Sequence, residues 1–432
     1  MTGTAVTSLE DEQVTEPSVV AVRRCLNRID ERDELVRAWA FLDSDLALAQ
    51  ARDRDAEPCR SALHGIPVGV KDIIDTADQP TSYGSRLWEG HRPDRDAEVV
   101  ARLRKAGAVI LGKTTTTEFA TYHPTITRNP HNPGHSPGGS SSGSAAAVAD
   151  GQVPLALGTQ TAGSVLRPGS FCGVFTLKPT YGRWPFGGVL PVSLTFDTVG
   201  GFARHPVWLG ALDGVVAEPD SDEPLPATCD LRVGVLRPPW ADRATPAAVD
   251  ALENTVAALR DVVTEIVDIR VPGELGALDR AHTLIMAAEA STALADRIDR
   301  PGPERISDEL TRFLSRGRTA TADAIQRARI ELRRARRFLD ATHRRVDVVL
   351  TLAAPGEAPA GLAGTGDPVF NKLASTAGTP AVGLPVGKGN DGLPLGIQLI
   401  GPAHSDQALV RIATCLTDRI GLAARCPIPE EM

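Results

Sequence analysis

The segment Ser136–Ser164 constrains this chain more than any other stretch of the sequence. It begins with a glycine- and serine-rich loop and continues into an alanine-rich helix predicted over Ser144–Asp150. An apolar run with the length of a buried strand, Val153–Leu157, follows. A second loop rich in small polar residues, Gly158–Ser164, ends the segment. Two such loops, at the two ends of one helix–strand unit, can fold back near each other, and each supplies hydroxyl and free backbone N–H groups. Those groups can form a nucleophile and an oxyanion hole.

A flexible Gly/Ser linker is the alternative interpretation of the first loop. Linkers join separable units, whereas dense apolar sequence follows this loop closely. Predicted strands and helices alternate along the 432 residues, with no repeat and no long linker between them. We therefore predict one α/β domain over residues 1–432, with a core at about 35–420. Its centre would be a large β-sheet, mostly parallel or mixed, flanked by helices.

Three stretches outside the central segment contribute further elements to this prediction. Residues 18–54 have apolar side chains at helical spacing with charged residues between them, which predicts a helical region. Residues 171–182 are typical of a strand followed by a turn. Residues 245–345 are predicted to be mostly helical.

The charge and composition of the chain exclude several classes of protein. A net charge of −8 argues against unassisted binding to nucleic acid or to an anionic membrane surface. The arginine-rich run 327–345 is therefore interpreted as a solvated helix face. No apolar run approaches the roughly 18 residues of a transmembrane helix, and no secretory signal is visible. The six cysteines are scattered without a C-x-x-C pair, which is typical of reduced thiols. A cytoplasmic location is expected.

Two patterns that suggest a cofactor or a metal ion fail in their context. Residues 107–114 match the phosphate-binding G-x-x-x-x-G-K-T pattern letter for letter, but the four spacer residues are themselves the predicted strand rather than a flexible loop. His131 and His135 are four positions apart, yet Pro133 prevents them from sharing a helix face as zinc ligands. We expect neither a cofactor nor a metal ion.

Lys71 ends an apolar strand in the segment H-G-I-P-V-G-V-K-D. Neighbouring residues of a strand point to opposite faces of a sheet, so Lys71 and Asp72 should diverge. Burying an ammonium group without a neutralising partner is unfavourable and lowers the pKa of a lysine. Lys71 is therefore a candidate base for a serine hydroxyl.

Taken together, the motifs resemble those of the amidase signature family. Six segments carry the resemblance, in family order: G-I-P-V-G-V-K-D, A-V-I-L-G-K-T, S-P-G-G-S-S-S-G-S, G-T-Q-T-A-G-S, F-C-G-V-F-T-L-K-P-T-Y-G and G-L-P-L-G-I-Q-L-I-G. They reach from about residue 35 to 420. The resemblance implies the amidase signature fold and a Ser–Ser–Lys triad, and it places substrate specificity in variable regions such as 245–345.

The resemblance also assigns a role to each site residue. Ser164 would be the nucleophile, and Ser140 would pass its proton to Lys71. The oxyanion hole would be formed by backbone N–H groups of the turn that leads to the nucleophile, namely those of Thr161, Ala162, Gly163 and Ser164 itself. A glycine at position 163 would allow the close approach that this requires.

The sequence departs from the family pattern just around the predicted nucleophile. The usual T-D-T-G-G-S-x-R-x-P is here T-Q-T-A-G-S-V-L-R-P. Gln160 replaces an acidic residue, and Arg167 lies one position later than the usual arginine. We infer that a neutral arrangement replaces one ion pair here, which could alter the substrate end of the pocket.

The resemblance supports one leading function and three alternatives. The leading hypothesis is an amidohydrolase that cleaves the C–N bond of a small carboxamide through a Ser164 acyl-enzyme. The second is the glutaminase component of a tRNA-dependent amidotransferase, its A chain, although such chains keep the acidic residue that Gln160 replaces. A membrane-associated lipid amidase would need an extra hydrophobic helix pair, and a non-catalytic binding module would need three dispersed positions to match by chance. The expected partner is a small amide, with no nucleic acid and no membrane. A homodimer is left open.

Overall fold

The computed structural model describes residues 16–218, 223–299 and 306–422. Eleven strands form one sheet within these residues. In chain order they are β1 (Trp39–Leu42), β2 (Pro67–Lys71), β3 (Val109–Thr114), β4 (Leu155–Gln160), β5 (Phe175–Lys178), β6 (Thr198–Ala203), β7 (Arg232–Leu236), β8 (Glu265–Ile269), β9 (Val348–Leu352), β10 (Ala381–Lys388) and β11 (Pro394–Ile400).

The sheet is mixed, one of the two arrangements that the sequence predicts. Its spatial order is β1-β3-β2-β4-β6-β5-β10-β11-β9-β7-β8. Parallel pairs lie toward its two ends, where β2 joins β3 and β4, and where β7 joins β8 and β9. The strands between them, from β4 through β10 to β9, pair antiparallel. The predicted α/β class and large central sheet are confirmed.

Helices cover both faces of this sheet. The α-helices of the described residues are α1 (Ser18–Val36), α2 (Ser44–Asp55), α3 (Glu98–Lys105), α4 (Ser142–Ala149), α5 (Leu166–Cys172), α6 (Pro206–Val216), α7 (Pro246–Leu259), α8 (Leu278–Ala293), α9 (Ala295–Asp299), α10 (Asp308–Arg318), α11 (Ala322–His343), α12 (Lys372–Ala377) and α13 (Asp406–Arg419). In the part of the chain that the structure describes, no helix combines the length and the apolar character needed to cross a membrane.

Alternation along the strands divides the core between the two faces of the sheet. On β3, Val109 and Leu111 pack with the alanines of α4, while Ile110 joins the larger cluster on the opposite face. Helix α4 lies unusually close to its neighbours because its residues are small. A side-chain carbon at Gly143 would lie 2.2 Å from the carbonyl oxygen of Ala38. This close packing fixes the serine loop, which precedes α4, over the end of β2.

The predicted helical region over residues 18–54 is interrupted by a strand. Helix α1 ends at Arg37, whose φ of 56° is left-handed, and the Asp33 carboxylate accepts from the N–H of Ala38. The chain then forms β1, which pairs antiparallel with β3. The helical spacing on either side conceals this edge strand, because only four residues form it.

Two other predictions differ from the structure in a similar way. The stretch 171–182 begins inside α5, which ends at Gly173 with a left-handed φ of 69°, and its strand is β5. The region 245–345 is mostly helical, as predicted, but it also contains β8, which pairs parallel with β7 at the edge of the sheet. Edge strands are partly exposed, so β8 lacks the continuous apolar run of a buried strand.

The segment that matches the phosphate-binding pattern is largely strand, as predicted. Its lysine, Lys113, lies within β3 and is fully buried. The ammonium group donates to the carbonyl of Ile74 at 2.8 Å and to the Thr81 hydroxyl at 2.5 Å. Lys113 is therefore a core residue of the sheet.

Candidate active site

Lys71 and Ser140, which are 69 positions apart in the sequence, are hydrogen-bonded to each other. The side-chain nitrogen Nζ lies 2.8 Å from the Ser140 hydroxyl oxygen and 2.8 Å from that of Thr159. Lys71 is the last residue of β2, which ends beneath the serine loop. Strand β2 therefore places the base of the predicted triad directly against that loop.

Burial controls the charge state of Lys71. The side chain is 0% exposed, and this desolvation holds its pKa well below the usual value. The field of Asp197 opposes the shift, but the effect of burial is larger. Lys71 is thus suited to accept a proton, since a lysine must be neutral to act as a base.

The serine loop, residues 136–144, is held in place by its other hydroxyl groups. The Ser142 hydroxyl donates to the carbonyl of Gly138 at 2.7 Å, and that of Ser144 donates to the carbonyl of Leu157 at 2.8 Å. Ser141 donates to the carbonyl of Thr159. The peptide bond that precedes Ser140 is cis. Of these four serines, Ser140 is the one that contacts Lys71.

Ser164 lies in a tight turn between β4 and α5. It is half-buried, and its hydroxyl makes no hydrogen bond to a described residue. The carbonyls of the turn are occupied, because the Ser375 hydroxyl donates to Ala162 and the N–H of Arg167 donates to Gly163. The Ser164 hydroxyl is therefore free to act on a bound molecule.

The N–H groups of the same turn are available as donors. Those of Thr161, Ala162, Gly163 and Ser164 donate to no acceptor within the described ranges. A side-chain carbon at Gly163 would lie 2.4 Å from Oδ1 of Asn371, so the backbone can pass this point only as glycine. Unpaired N–H groups that converge in a rigid turn are the donors an oxyanion hole needs.

The two departures from the family pattern both have neutral partners. The side-chain oxygen of Gln160 accepts from the N–H groups of Val165 and Leu166, both at 3.0 Å, and so caps the start of α5. Its amide nitrogen donates to the Ser375 hydroxyl. Arg167 donates from Nη2 to the carbonyl of Gly139 at 2.5 Å. The two side chains are therefore held by neutral groups, and no ion pair joins them.

Three residues that the sequence did not reveal complete the surroundings of the site. Thr159 shares Lys71 with Ser140. Asp197 accepts from the Thr161 hydroxyl at 2.6 Å, and burial raises the pKa of its carboxyl group to about 6. Asn371 touches the turn at Gly163. Thr159 lies inside the second small-residue loop and could have been found there, whereas no local pattern distinguishes the other two.

Comparison with known proteins agrees with this geometry. The family model described as Amidase matches residues 20–410. The A chain of the glutamyl-tRNA(Gln) amidotransferase of Chloroflexus aggregans is 34% identical over 449 residues, which cover 91% of this chain and 91% of that protein. The structure of native peptide amidase from Stenotrophomonas maltophilia matches with a TM-score of 0.83 at 28% identity and covers 99% of both chains.

A further solved structure belongs to a vestigial protein complex that reveals the evolutionary origins of an s-triazine catabolic enzyme. It matches with a TM-score of 0.85 at 29% identity, covering 94% of this chain and 96% of that one. The residues that the family model matches include Lys71, the serine loop and the turn at Ser164. The chain therefore belongs to the Amidase family, that of the amidase signature hydrolases its motifs resemble.

Proposed function

We propose that this protein hydrolyses a small carboxamide through an acyl-enzyme on Ser164. The observation that carries the proposal is the 2.8 Å hydrogen bond from the buried Lys71 to Ser140. A serine hydroxyl is a weak nucleophile that needs a base, and a neutral lysine can accept its proton through an intervening hydroxyl. Ser140 would relay the proton of Ser164 to Lys71.

The remaining steps follow from the turn at Ser164. Attack of Ser164 Oγ on the amide carbon forms a tetrahedral intermediate whose oxyanion would accept from the N–H groups of residues 161–164. Collapse of this intermediate breaks the C–N bond, and the proton held at Lys71 returns through Ser140 to the leaving nitrogen. Water then repeats the sequence to release the carboxylic acid.

The sharpest test combines an amide panel with intact-mass detection. A fluorophosphonate should add one equivalent to the wild type, and peptide mapping should place the label on Ser164. The Ser164→Ala variant should lose both the label and amide turnover, while Ser315→Ala, on the exposed face of α10, should keep both. A label on another residue, or turnover by Ser164→Ala, would contradict the proposal.

The glutaminase component of a tRNA-dependent amidotransferase is the second candidate function. The observation that favours it is the 34% identity to the A chain of such an enzyme over 91% of this chain. A protein of that kind would release ammonia from glutamine in the presence of its partner proteins. Glutaminase activity that rises when those partners are added, without hydrolysis of other small amides, would support this function over the first.

A further inference from the structure

Arg167 is a buried cation without a carboxylate partner. Its side chain belongs to a residue that is only 4% exposed. From Nη2 it donates to two neutral oxygens, the Gly139 carbonyl at 2.5 Å and the Thr365 hydroxyl at 3.2 Å. Within the described ranges it forms no ion pair. Because desolvating a charge is costly, buried charges in proteins are normally paired, so this guanidinium is unusual.

The acidic groups around Arg167 are already neutralised by other cations. The nearest carboxylate whose field reaches it is that of Asp367, which forms an ion pair with Arg243. Asp279, the next acid in this cluster, pairs with Arg243 at 2.8 Å and also with Lys372. The cluster therefore leaves the charge of Arg167 without a counter-charge.

Most of the hydrogen-bonding capacity of Arg167 is unused. A guanidinium group has five N–H donors in a planar fork. Nε is buried without a partner, and Nη1 makes no hydrogen bond to a described residue. A fork with free donors matches the two oxygens of a carboxylate, which is the bidentate geometry that arginine favours.

Arg167 lies beside both predicted catalytic serines. It occupies the first turn of α5, and its N–H donates to Gly163, so it follows Ser164 by less than one helical turn. Residues three positions apart lie on the same face of a helix. Its Nη2 reaches the residue that precedes Ser140. The guanidinium thus joins the serine loop to the turn that carries Ser164.

We propose that Arg167 binds a carboxylate of the substrate, so that the enzyme acts on short amides that also carry a carboxylate, such as the monoamides of dicarboxylic acids. This inference rests on the proposed function and adds its substrate class. Burial lowers the pKa of Arg167 to about 10, which still leaves the group charged near neutral pH. The shift of this arginine by one position supplies a charge that Leu166, in the usual place, does not.

The test compares matched pairs of amides that differ in charge. Malonamate, succinamate and glutaramate are each assayed beside the neutral amide of the same chain length, propionamide, butyramide and pentanamide. We expect the wild type to favour the anionic member of at least one pair by roughly 10- to 100-fold in kcat/KM, the range for a charged hydrogen bond. Arg167→Gln should reduce that preference to near unity, and Arg167→Lys should retain part of it.

Two controls separate a recognition role from a structural one. Arg327→Gln, which removes an exposed arginine of α11, should leave the preference unchanged. An equal fall in both members of each pair in Arg167→Gln would mean that the residue only positions Gly139, and it would overturn the proposal. In the wild type, malonate or succinate should slow fluorophosphonate labelling of Ser164, and an absence of protection would also count against it.

The same measurements distinguish failure of this inference from failure of the proposed function. If Ser164 is labelled and neutral amides are hydrolysed without any preference for the anionic members, only the carboxylate site is wrong. If Ser164 is not labelled and no amide is hydrolysed, both proposals are wrong.

Discussion

Lys71 and Asp72 are adjacent in the chain but belong to two separate hydrogen-bond networks. The lysine donates to Ser140 and Thr159, whereas the Asp72 carboxylate accepts from the N–H of Ser82 and lies 3.6 Å from Lys113. The alternation of side chains along β2 separates them, as predicted. Lys113 thus supplies the counter-charge for Asp72, and Lys71 stays free of it.

Lys71 should set the pH dependence of acylation. Because burial lowers its pKa, the group is charged and inactive at low pH, and the rate should rise with pH through that ionisation to a plateau. Lys71→Met should lower kcat by roughly 10²–10⁴-fold and remove this ionisation. Lys71→Arg should fail equally, since guanidinium does not release its proton. Near-normal activity in Lys71→Arg with an unchanged pH profile would refute the role of a base.

Ser140 should matter to catalysis more than its neighbours in the serine loop. Ser140→Ala removes the hydroxyl between Lys71 and Ser164, and we expect a loss of roughly 10²-fold in kcat, smaller than that of Ser164→Ala, because water can partly replace the relay. Ser142→Ala is the matched control. It deletes a bond to the Gly138 carbonyl and should cost about 1 kcal/mol of stability with little effect on the pH profile. Equal kinetic losses in the two variants would argue against a relay.

The contact of Gly163 with Asn371 predicts an intolerant position. Gly163→Ala would place a carbon 2.4 Å from Oδ1 of Asn371, which forces the turn to move. We expect kcat to fall by roughly 10²-fold, the cost of one misplaced oxyanion donor, together with a lower Tm.

A double variant and a control identify the cause of that loss. Adding Asn371→Ala should restore part of the Tm, because it removes the colliding atom. Gly214→Ala, in α6, meets no atom closer than 3.8 Å and should be neutral or stabilising by up to about 1 kcal/mol. If Gly163→Ala matches Gly214→Ala in rate and Tm, the collision is not a constraint.

Lys178 should make the protein more stable as pH rises from neutral. It is fully buried, its Nζ donates to the carbonyl of Pro179 at 2.7 Å, and burial lowers its pKa to about 7. The unfolded chain, with a lysine pKa of about 10.4, binds one proton more between these values, so the free energy of unfolding increases with pH there.

Urea denaturation at pH 7, 8 and 9 checks this. Lys178→Met should reduce the slope of stability against pH by up to about 1.4 kcal/mol per unit and raise the stability at pH 7 by about 1–3 kcal/mol. Lys388→Met, at the exposed end of β10, is the control and should change neither quantity. A slope that survives in Lys178→Met would assign the effect to other groups, such as Lys113, whose pKa is lowered to about 8.

The parts of the site that the sequence predicts are those encoded by local chemistry. Lys71 interrupts an apolar strand, and the loops with Ser140 and Ser164 have a composition that regular elements avoid, so each can be found from its own neighbours. Asp197 and Asn371 act only through contacts with residues that are distant in the sequence. Their surroundings carry no signal until the sheet brings the segments together.

The predicted fold class is correct for a similar reason, and its errors are edge strands and one short helix. Buried strands such as β4 are apolar runs that composition reveals. By contrast, β1 lies between two helices, and β8 is half-exposed, so tertiary pairing rather than local preference creates both. Helix α5 is wholly buried, which removes the amphipathic spacing by which helices are recognised.

The central position of β4 links the lifetime of the site to that of the whole fold. This strand ends in the turn that carries Ser164, and β2 and β6 pair with it on both sides. A strand enclosed in this way cannot open by local fraying, so its amide hydrogens should exchange with deuterium only when the protein unfolds globally. Heat should therefore inactivate the enzyme at the temperature at which it melts, and not before.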